Sequence, residues 1–450
     1  MLTRKIEKDI LKWIESGDKA LLVSGVRQAG KTFIIRKCLK ETESDFVEFN
    51  LIEMPEVVDI INTASDTSDL VMKLRLLSGR EVKENKTIFF FDEIQRCKEI
   101  VTKIKFLVDD RRFRYILSGS LLRVELVNLR SAPVGYLETL KMYPLDFEEF
   151  LQVFSVGESL INSLRRSYLE KIPVDDVVNK RMLEIFNLYL IIGGMPDAVE
   201  KYSESGDIDS VIRSHTSLIE RYKEDFTQYE TENKKLMISR IYDLIPAELN
   251  EKNKRFNVVD LKKGLRYDRI EESFIWLWKA GVALGVFNVT APTLPLLLNE
   301  KNSLFKLFLS DVGLLTSIYG RSSKLAVLMN DEGVNKGAIY ENVVAQELNA
   351  HGYSLYYYNS KEKGELDFVI EHNGKVLPLE VKSGKDYSRH SALDNILDID
   401  EYGIEEAYVL SAANVKKEGK ITYLPIYMIM FIGEETGDFP DISKERYKFS

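Results

Sequence analysis

Residues 20–32 read ALLVSGVRQAGKT, and this stretch is the strongest indication of the fold in the first third of the chain. The apolar run ALLVSG is typical of a buried strand, and FIIRKCLK, which follows the turn, is typical of a helix. Between them, GVRQAGKT fits G-x-x-x-x-G-K-[ST], a loop whose backbone N–H groups surround phosphate oxygens. Because strand, loop and helix are the context that this loop requires, the stretch predicts a nucleotide-binding site.

The residue types of the loop assign a role to each part of it. Glycines permit the backbone to curl around phosphate, and the N-terminus of the following helix adds a positive end. The lysine reaches the β- and γ-phosphates of ATP, and the threonine gives an oxygen to Mg²⁺. The predicted nucleotide-binding residues are Gly25, Val26, Arg27, Gln28, Ala29, Gly30, Lys31, Thr32 and Phe33, with Lys31 also catalytic and Thr32 also a metal ligand.

An acidic pair follows the apolar run TIFFFDE at residues 87–93. An acidic residue after a buried strand can hold Mg²⁺ through water, the role predicted for Asp92. Glu93 could polarise the attacking water as a general base. The pair could also simply solvate a strand end, but the phosphate loop upstream favours catalysis. Ser118, at the end of RYILSGS, is a candidate γ-phosphate sensor, and Ser120 is the alternative.

Composition limits the class of protein. The chain has 450 residues, 62 basic and 71 acidic side chains, and a net charge of -9. This length predicts about two to four domains, and this charge argues against a surface built wholly to grip nucleic acid. Cys38 and Cys97 follow no zinc or redox spacing, and the N-terminus has no signal-peptide pattern. We expect a cytoplasmic protein with no membrane contact.

Alternating patterns predict an α/β protein. In the first 150 residues, short apolar runs alternate with helical patterns, which predicts a parallel sheet. TIFFF has no alternation, so its strand should be covered on both faces. Residues from 146 to about 235 have a helical pattern. Near residues 421–433, ITYLPIYMIMFIG predicts a buried strand, too short to span a bilayer.

The order of elements from 236 to about 325 resembles a winged helix. Two helical patterns precede a predicted hairpin formed by VALGVFNV and LFKLFLSD. DNA-binding winged helices read the major groove with the helix before the hairpin, which here is RYDRIEESFIWLWKAG. Its mixed charge and two tryptophans, Trp276 and Trp278, favour packing or protein contact over groove reading.

The stretch GELDFVIEHNGKVLPLEVKSG at residues 364–384 predicts two strands joined by a tight turn. Alternation gives each strand an apolar face, with Asp367 on the opposite face of the first strand. Glu380 and Lys382 are two residues apart and therefore share a face. The pattern fits either a hairpin with solvated charges or two carboxylates and a lysine around a metal.

An ordered set of motifs gives this pattern a family context. GVRQAGKT, FFFDEIQ, ILSGSLL, MYPLDFEEFL and YLIIGGMPDAV, followed by KLFLSDVGLL, GAIYENVVAQEL and the hairpin, resemble the prokaryotic AAA-superfamily ATPases related to archaeal ATPases. Those proteins carry a C-terminal domain of unknown function similar to PD-(D/E)XK nucleases. The resemblance implies a five-stranded core whose sensor strand lies between the phosphate-loop and FFFDE strands. It also implies Asp92 for magnesium and Glu93 for hydrolysis.

For the C-terminal domain, the resemblance implies a nuclease-like site of Asp367, Glu380 and Lys382, with Glu341 contributed by a helix. Such carboxylates could hold a second Mg²⁺ or Mn²⁺. Leu366 replaces the proline of the motif, a small departure. The implied domains are a P-loop core at 1–145, a helical lid at 146–235, a winged-helix-like domain at 236–325 and a nuclease-like αβ domain at 326–450.

A second departure concerns the arginine finger. Many relatives carry Arg where this chain has Tyr136, so no finger can be assigned there. Other candidates in the sequence are Arg27, Arg111, Arg112 and Arg130, and the sequence does not choose among them. Without a placed arginine, hydrolysis could be slow or need a partner, because such fingers contribute large factors in rate.

Three functions follow as hypotheses. The first is an ATPase that uses Mg²⁺ and controls its C-terminal domain as a switch that binds a protein or nucleic acid partner. The second is an ATP-regulated, metal-dependent nuclease acting on DNA or RNA. The third is a nucleotide-binding scaffold without turnover. The sequence gives neither the partner nor the oligomeric state.

Overall fold

The protein is described here by a computed structural model that covers residues 2–120, 135–228, 232–261, 264–329, 331, 336–384 and 386–433. Two β-sheets organise these residues, one in the N-terminal third and one in the C-terminal half. A group of helices lies between them in sequence. Arg130, one of the arginine-finger candidates, falls outside the described residues.

The first sheet has five parallel strands in the order β2-β3-β4-β1-β5. The strand that ends at Ser118 and Gly119 thus lies between the phosphate-loop strand and the FFFD strand, which confirms the expected order. The elements are α1 (Glu7–Ser16), β1 (Ala20–Gly25), α2 (Lys31–Glu41), β2 (Phe46–Asn50), α3 (Pro55–Thr63), α4 (Thr67–Leu77), β3 (Ile88–Asp92), α5 (Lys98–Asp110), β4 (Arg114–Gly119) and β5 (Leu137–Met142).

Burial on both faces explains the unbroken apolar run in β3. Phe89 and Phe91 join the apolar core on one face of the sheet, and Ile88 and Phe90 join the core on the other. All five residues of β3 are buried, including Asp92 at its end. The sheet therefore carries its polar chemistry at the carboxyl ends of its strands, as parallel sheets covered by helices do.

A helical region follows the first sheet. Asp146 begins it with a capping box, in which its carboxylate accepts from the Glu149 N–H and Glu149 accepts from the Asp146 N–H. Asp175 caps a later helix by accepting from Val177 and Val178. The helices are α6 (Phe147–Val153), α7 (Glu158–Glu170), α8 (Asp176–Ile192), α9 (Pro196–Ser205), α10 (Ile208–Gln228), α11 (Glu232–Asn250), α12 (Val258–Leu261) and α13 (Glu271–Ala280).

The second sheet has eight strands in the order β12-β13-β11-β10-β9-β8-β6-β7. Its elements, with the helices between them, are β6 (Ala283–Val289), β7 (Glu300–Leu309), α14 (Val312–Ile318), α15 (Arg321–Leu328), α16 (Gly337–Ala350), β8 (Tyr356–Ser360), β9 (Gly364–His372), β10 (Lys375–Val381), α17 (Ser391–Leu397), β11 (Ala407–Ser411), β12 (Lys416–Glu418) and β13 (Ile421–Pro425). The tight turn between β9 and β10 falls at Asn373 and Gly374, both with positive φ.

The hairpin expected in the middle domain belongs to this larger sheet. Strands β6 and β7 form the antiparallel pair, and β6 also pairs in parallel with β8. A domain boundary at residue 325 would therefore divide one continuous sheet. The winged-helix-like and nuclease-like descriptions stay predictions. Helix α13 buries Phe274, Trp276 and Leu277, so its apolar side faces the protein interior.

One local prediction needs correction. The stretch at 421–433 is a strand only as far as Pro425, and residues Ile426–Phe431 form a 3₁₀ helix. Pro425 lacks an N–H and cannot continue a strand ladder as a central residue does. Both halves are buried, so the expectation of burial was correct, and a continuous apolar run does not by itself distinguish a strand from a helix.

Candidate nucleotide site and carboxylate cluster

The phosphate loop lies between β1 and α2, at the carboxyl edge of the first sheet. Lys31 begins α2, and its Nζ donates to the carbonyl oxygens of Gly25 (3.1 Å) and Val26 (2.9 Å). Burial lowers the pKa of Lys31 to about 8, against the opposing charges of Glu93 and Asp92. The lysine thus folds back on its own loop, where a bound phosphate could replace the two carbonyls.

Two glycines of the loop meet steric requirements that other residues would not. Gly30 precedes the helix in the left-handed region, with φ of 93°. At Gly25, a Cβ would lie 2.1 Å from the Met142 carbonyl oxygen at the end of β5. The motif's glycines are therefore explained by a backbone turn at one position and by a close approach of β5 at the other.

Asp92 joins the loop to the sensor strand. Its Oδ2 accepts from the Thr32 hydroxyl at 2.9 Å, and its Oδ1 accepts a short hydrogen bond from the Ser118 hydroxyl. Asp92 and Ser118 are both buried. A carboxylate and a hydroxyl held together are ligands of the kind that Mg²⁺ prefers, so the donor chemistry fits this ion. The structure thus brings together three of the residues predicted for nucleotide chemistry.

Glu93 follows Asp92 in the left-handed region, with φ of 57° and ψ of 44°. This conformation is uncommon for residues other than glycine, and it turns the chain out of the strand. The Glu93 carboxylate accepts a short hydrogen bond from Gln95 Nε2, and Gln95 also contacts the Ser120 hydroxyl at 3.4 Å. Ser118 therefore contacts Asp92, whereas the alternative sensor Ser120 lies with Gln95, a residue that the motif analysis missed.

Two of the described arginine-finger candidates, Arg27 and Arg112, have other partners. Arg27 forms a close ion pair with Asp225 on α10, which ties the phosphate loop to the lid. Arg111 and Arg112 precede β4, at the opposite edge of the sheet, and Arg112 pairs with Asp110 at 2.6 Å. Neither can reach a nucleotide on the loop of the same chain, because the strands of the sheet separate the two edges.

The lid supplies basic residues that sequence analysis did not single out. A cavity of about 630 Å³ lies beside Gln28 and is lined by α9 and α10. Its basic side chains are Lys201, Arg213 and Arg221, with Asp197 and Glu204 among its acidic ones. Lys201 pairs with Asp197 at 2.7 Å and Arg213 pairs with Asp207 at 3.3 Å, so part of this positive charge is already balanced.

Arg4 connects the loop to the start of the lid. Its guanidinium donates to the carbonyl oxygens of Ala29 (3.1 Å) and Tyr143 (2.7 Å) and to Glu149 Oε2 (3.0 Å). Arg4 and Glu149 are both buried. A single arginine can satisfy three acceptors because its five donors form a rigid planar fork. No spacing signal predicts this role, because each partner lies at least 25 positions away in the sequence.

The predicted nuclease-like residues also come together. The Val381 N–H donates to Asp367 Oδ2 at 2.8 Å, and Lys382 Nζ contacts Glu380 Oε1 at 2.7 Å. Burial, together with the charge of Asp367, raises the pKa of Glu380 to about 8. The hairpin charges are therefore not a solvated surface but part of an interior cluster.

Glu341 enters this cluster from α16 together with two lysines that sequence analysis missed. Glu341 forms a close ion pair with Lys254 and lies 3.6 Å from Lys306 Nζ. Lys306 is fully buried in β7, and its Nζ is also 2.7 Å from Glu365 Oε1 and 3.9 Å from Asp367 Oδ1. The one signal in the sequence was a lysine inside the apolar run LFKLFL.

These residues do not fit a second metal ion as arranged. Across the described ranges, the structure contains no group of three or more His, Cys, Asp or Glu side chains placed to hold a metal. Lysine ammonium groups lie beside Glu341, Asp367 and Glu380 instead. The expected second Mg²⁺ or Mn²⁺ therefore gains no support from the geometry.

Three family models match successive parts of the chain. Residues 17–151 match a model described as AAA domain, residues 183–325 a domain of unknown function (DUF8612), and residues 336–429 another domain of unknown function (DUF4143). The parallel sheet with its phosphate loop defines a P-loop ATPase fold. The match over residues 17–151 supports, more narrowly, an AAA-superfamily ATPase domain in this N-terminal part.

Solved structures that match the chain include the following three. The Walker-type ATPase of Pyrococcus abyssi has 15% identity and a TM-score of 0.44, covering 71% of this chain and 96% of that one. The RuvB Holliday junction branch migration motor of Thermotoga maritima has 14% identity and a TM-score of 0.29, covering 63% and 89%. AMPPCP-bound DnaA of Aquifex aeolicus has 8% identity and a TM-score of 0.30, covering 62% and 90%. At these scores, the similarities support no conclusion about function.

A search of curated proteins gave no match. Among the helices in the described part of the chain, none is both long and apolar enough to cross a membrane. Cellular location stays a prediction.

Proposed function

We propose that the protein is a magnesium-dependent ATPase whose nucleotide state controls the C-terminal half of the chain as a switch. The observation that carries this proposal is the contact of Thr32 and Ser118 with opposite oxygens of Asp92. One carboxylate thus joins the phosphate loop and the sensor strand. A change at the bound phosphate would alter the contacts of both the phosphate loop and the sensor strand.

In this function Lys31 binds phosphate oxygens. Its ammonium exchanges the Gly25 and Val26 carbonyls for the more strongly accepting phosphates. Thr32 and Asp92 would hold Mg²⁺, which neutralises charge on the phosphates. The remaining residues of the loop, from Val26 to Phe33, would contact the nucleotide through their backbone.

Glu93 is the proposed general base for the attacking water, held by Gln95. Ser118 is the proposed sensor, because a change of metal or phosphate at Asp92 alters its hydrogen bond. Of the candidates on the same chain, Arg111 and Arg112 precede β4 at the far edge of the sheet, and Arg27 is paired with Asp225. Arg213 or Arg221 from the lid cavity, or an arginine from a second molecule, could supply the charge that stabilises the transition state.

Several contacts support transmission from the loop to the C-terminal half. The Tyr222 hydroxyl donates to the Arg27 carbonyl at 3.3 Å. At Gly281, in the turn between α13 and β6, a Cβ would lie 3.0 Å from Val26 Cγ1. The loop is therefore packed against both the lid and the turn that precedes β6. A change in the bound nucleotide would then move either element.

Helix α16 connects the lid to the carboxylate cluster. Glu347 accepts from the Phe147 N–H at 3.0 Å and from the Tyr189 hydroxyl at 2.8 Å. Gln346 accepts from the Val312 N–H at 2.7 Å. Glu341 of the same helix lies in the cluster. A shift of α6 or α8 would therefore act on α16, which contacts both the lid and the carboxylate cluster.

Phosphate release from ATP tests the enzymatic part. We expect Lys31→Ala to abolish binding and Glu93→Gln to slow release by about 10²- to 10⁴-fold while ATP still binds. Lys40→Ala, on the exposed side of α2, and Glu99→Gln, an exposed glutamate after β3, are matched controls. If wild-type protein binds ATP and releases no phosphate at any protein concentration, the scaffold hypothesis replaces the ATPase.

Hydrogen exchange tests the switch. In Glu93→Gln protein, we expect ATP to change the protection of residues 337–350 and of β9 and β10, relative to the same protein with ADP. Lys31→Ala should show no such difference. Exchange that changes only around the phosphate loop would contradict control of the C-terminal half.

A second candidate function is cleavage of DNA or RNA, favoured by the convergence of Glu341, Asp367, Glu380 and Lys382. Purified protein is incubated with single- and double-stranded DNA and RNA, Mg²⁺ or Mn²⁺, with and without ATP. Cleavage lost in Asp367→Asn and Lys382→Ala, but retained in Lys375→Ala on the exposed end of β10, would support a nuclease. Absence of cleavage leaves a C-terminal domain that binds a partner, protein or nucleic acid.

A further inference from the structure

The Lys306 ammonium occupies the position in the cluster where a cation would balance the charge of the carboxylates. It is fully buried, yet three acidic side chains surround its Nζ: Glu365 at 2.7 Å, Glu341 at 3.6 Å and Asp367 at 3.9 Å. Its ammonium also lies 5.1 Å from the centre of the Tyr357 ring. A buried lysine is rare unless it is paired, and here the carboxylates of α16 and β9 supply the pairing.

A second lysine completes the arrangement from a neighbouring segment. The Phe256 N–H donates to the Phe305 carbonyl at 2.9 Å, and Arg255 forms a bridge with Lys306. This pairing lays the segment around Lys254 beside β7 and brings Lys254 to Glu341. Both lysines therefore reach the carboxylates through backbone pairing along one sheet edge, not through long flexible side chains alone.

The cluster retains acceptors that lack a donor. Glu341 Oε2 and Glu380 Oε2 are buried, and neither accepts a hydrogen bond from any residue in the described ranges. Both side chains are more than nine-tenths buried. Buried carboxylate oxygens are costly to leave unsatisfied, so they favour a nearby cation. Lys306 Nζ lies 3.6 Å from Glu341 Oε2 and 3.9 Å from Asp367 Oδ1, which are ion-pair distances. A divalent metal ion would lie closer to its ligand oxygens.

We propose that the Lys306 ammonium is the resident cation of the nuclease-like cluster, so that the protein holds Glu341, Asp367 and Glu365 together without a divalent metal. Removal of this charge would expose a site for one hard divalent cation. The carboxylates then tie β7, α16 and β9 to one another. While Lys306 is in place, the cluster lacks the metal that would activate water for cleavage. This inference does not depend on the proposed ATPase, and it argues against cleavage, the second candidate function, at this cluster.

Two explanations of Lys306 make different predictions. If Lys306 is an ordinary buried ion pair, its removal destabilises the protein and divalent ions give no rescue. If Lys306 stands in for a metal, a divalent ion should bind the variant and restore stability, because ligands that bind only the folded state stabilise it. The two outcomes separate a structural lysine from a cation substitute.

Mn²⁺ binding, followed by the paramagnetic resonance signal of the free ion without nucleotide, provides the test. We expect wild type and Asp367→Asn to bind the same number of ions per chain. We expect Lys306→Met to gain one ion, with affinity at least about tenfold above any wild-type binding at this site. The melting temperature of Lys306→Met should rise with Mn²⁺ by more than that of wild type, whose rise reflects only binding elsewhere in the protein.

Controls make each outcome decisive. Lys306→Arg keeps the charge and should gain no ion. Adding Glu341→Gln to Lys306→Met should remove the gained ion. If Lys306→Met does not fold, Lys306→Gln provides the same neutral test with a polar side chain. The proposal is overturned if wild type binds an ion that Asp367→Asn loses, or if the folded neutral variants gain none.

Discussion

Replacement of Arg4 by methionine should disturb stability and nucleotide binding together. The side chain makes three hydrogen bonds, to the Ala29 carbonyl in the phosphate loop, to the Tyr143 carbonyl and to Glu149 at the start of the lid. Methionine replaces the aliphatic part of arginine and has no donor. The variant therefore leaves two carbonyl oxygens without this donor and a buried carboxylate without its counter-charge.

The expected loss of stability depends on the contacts that Glu149 keeps in the variant. Removing one partner of a buried ion pair costs about 3–5 kcal/mol. Glu149 keeps the N–H groups of Lys5 at 2.6 Å and Asp146 at 3.3 Å, so its charge is not wholly orphaned. We therefore expect the lower end, about 3 kcal/mol of unfolding free energy. Arg4→Lys should lose less unfolding free energy than Arg4→Met. It should not reach the stability of wild type, because one ammonium cannot replace the planar guanidinium fork.

A double-mutant cycle in urea, with ATP affinity measured on the same proteins, checks this reasoning. Glu149→Gln keeps an acceptor oxygen and removes the charge, so Arg4→Met with Glu149→Gln should be more stable than the two single effects predict. We expect a coupling energy of about 2 kcal/mol. ATP affinity should fall in both Arg4 variants, because Ala29 loses its tether. A coupling below about 0.5 kcal/mol, or unchanged ATP affinity, would refute the role given to Arg4.

Three further predictions rest on single contacts. Because the pKa of Lys31 is about 8, the free protein loses this positive charge as pH rises, and ATP affinity should fall by up to about tenfold per pH unit above that value. Lys31→Arg, which stays charged throughout this pH range, should show no such slope in titrations. Gly281→Ala should cost about 1–2 kcal/mol and weaken ATP binding, because it adds strain at positive φ and contact with Val26. Gly403→Ala, with similar φ but open space, should leave ATP binding unchanged. Burial and the charge of Asp146 raise the pKa of Glu347 from 4.5 to about 7, so the folded state holds this proton more tightly. The stability that Glu347 contributes is full below pH 4.5 and is lost as the pH rises through about 7. Thermal melts of Glu347→Gln should lack this pH-dependent loss.

The nucleotide site was predictable because its chemistry is local in the sequence. Gly25 to Thr32 form one turn between a strand and a helix, and Asp92 ends an unbroken apolar strand. Parallel strands then bring the separate carboxyl ends to one edge, which is why Thr32, Asp92 and Ser118 meet. The order of the strands came from the resemblance, and the structure confirms it.

The contacts that bind the parts together were not predictable in this way. Arg4 has its partners 25 to 145 positions away, and no periodicity encodes which distant carbonyls it will meet. Likewise, the alternation in β6 and β7 predicts a hairpin but not that β6 pairs outward with β8. Lys306 shows the same limit, because a lone lysine in an apolar strand signals burial without naming its partners.

The placement of the two sites relative to one helix explains how they could communicate. Helix α16 is buried along nearly all its length and uses polar side chains as contacts with other elements. Asn342 both accepts from the Leu309 N–H at 2.9 Å and donates to its carbonyl at 3.0 Å, which fixes the helix to β7 beside Lys306. Glu347 fixes its other end to α6, which Arg4 connects to the phosphate loop. A densely packed interior transmits displacement because it cannot absorb it locally. Movement of the lid would therefore reach the Lys306 cluster through the helix that supplies its Glu341.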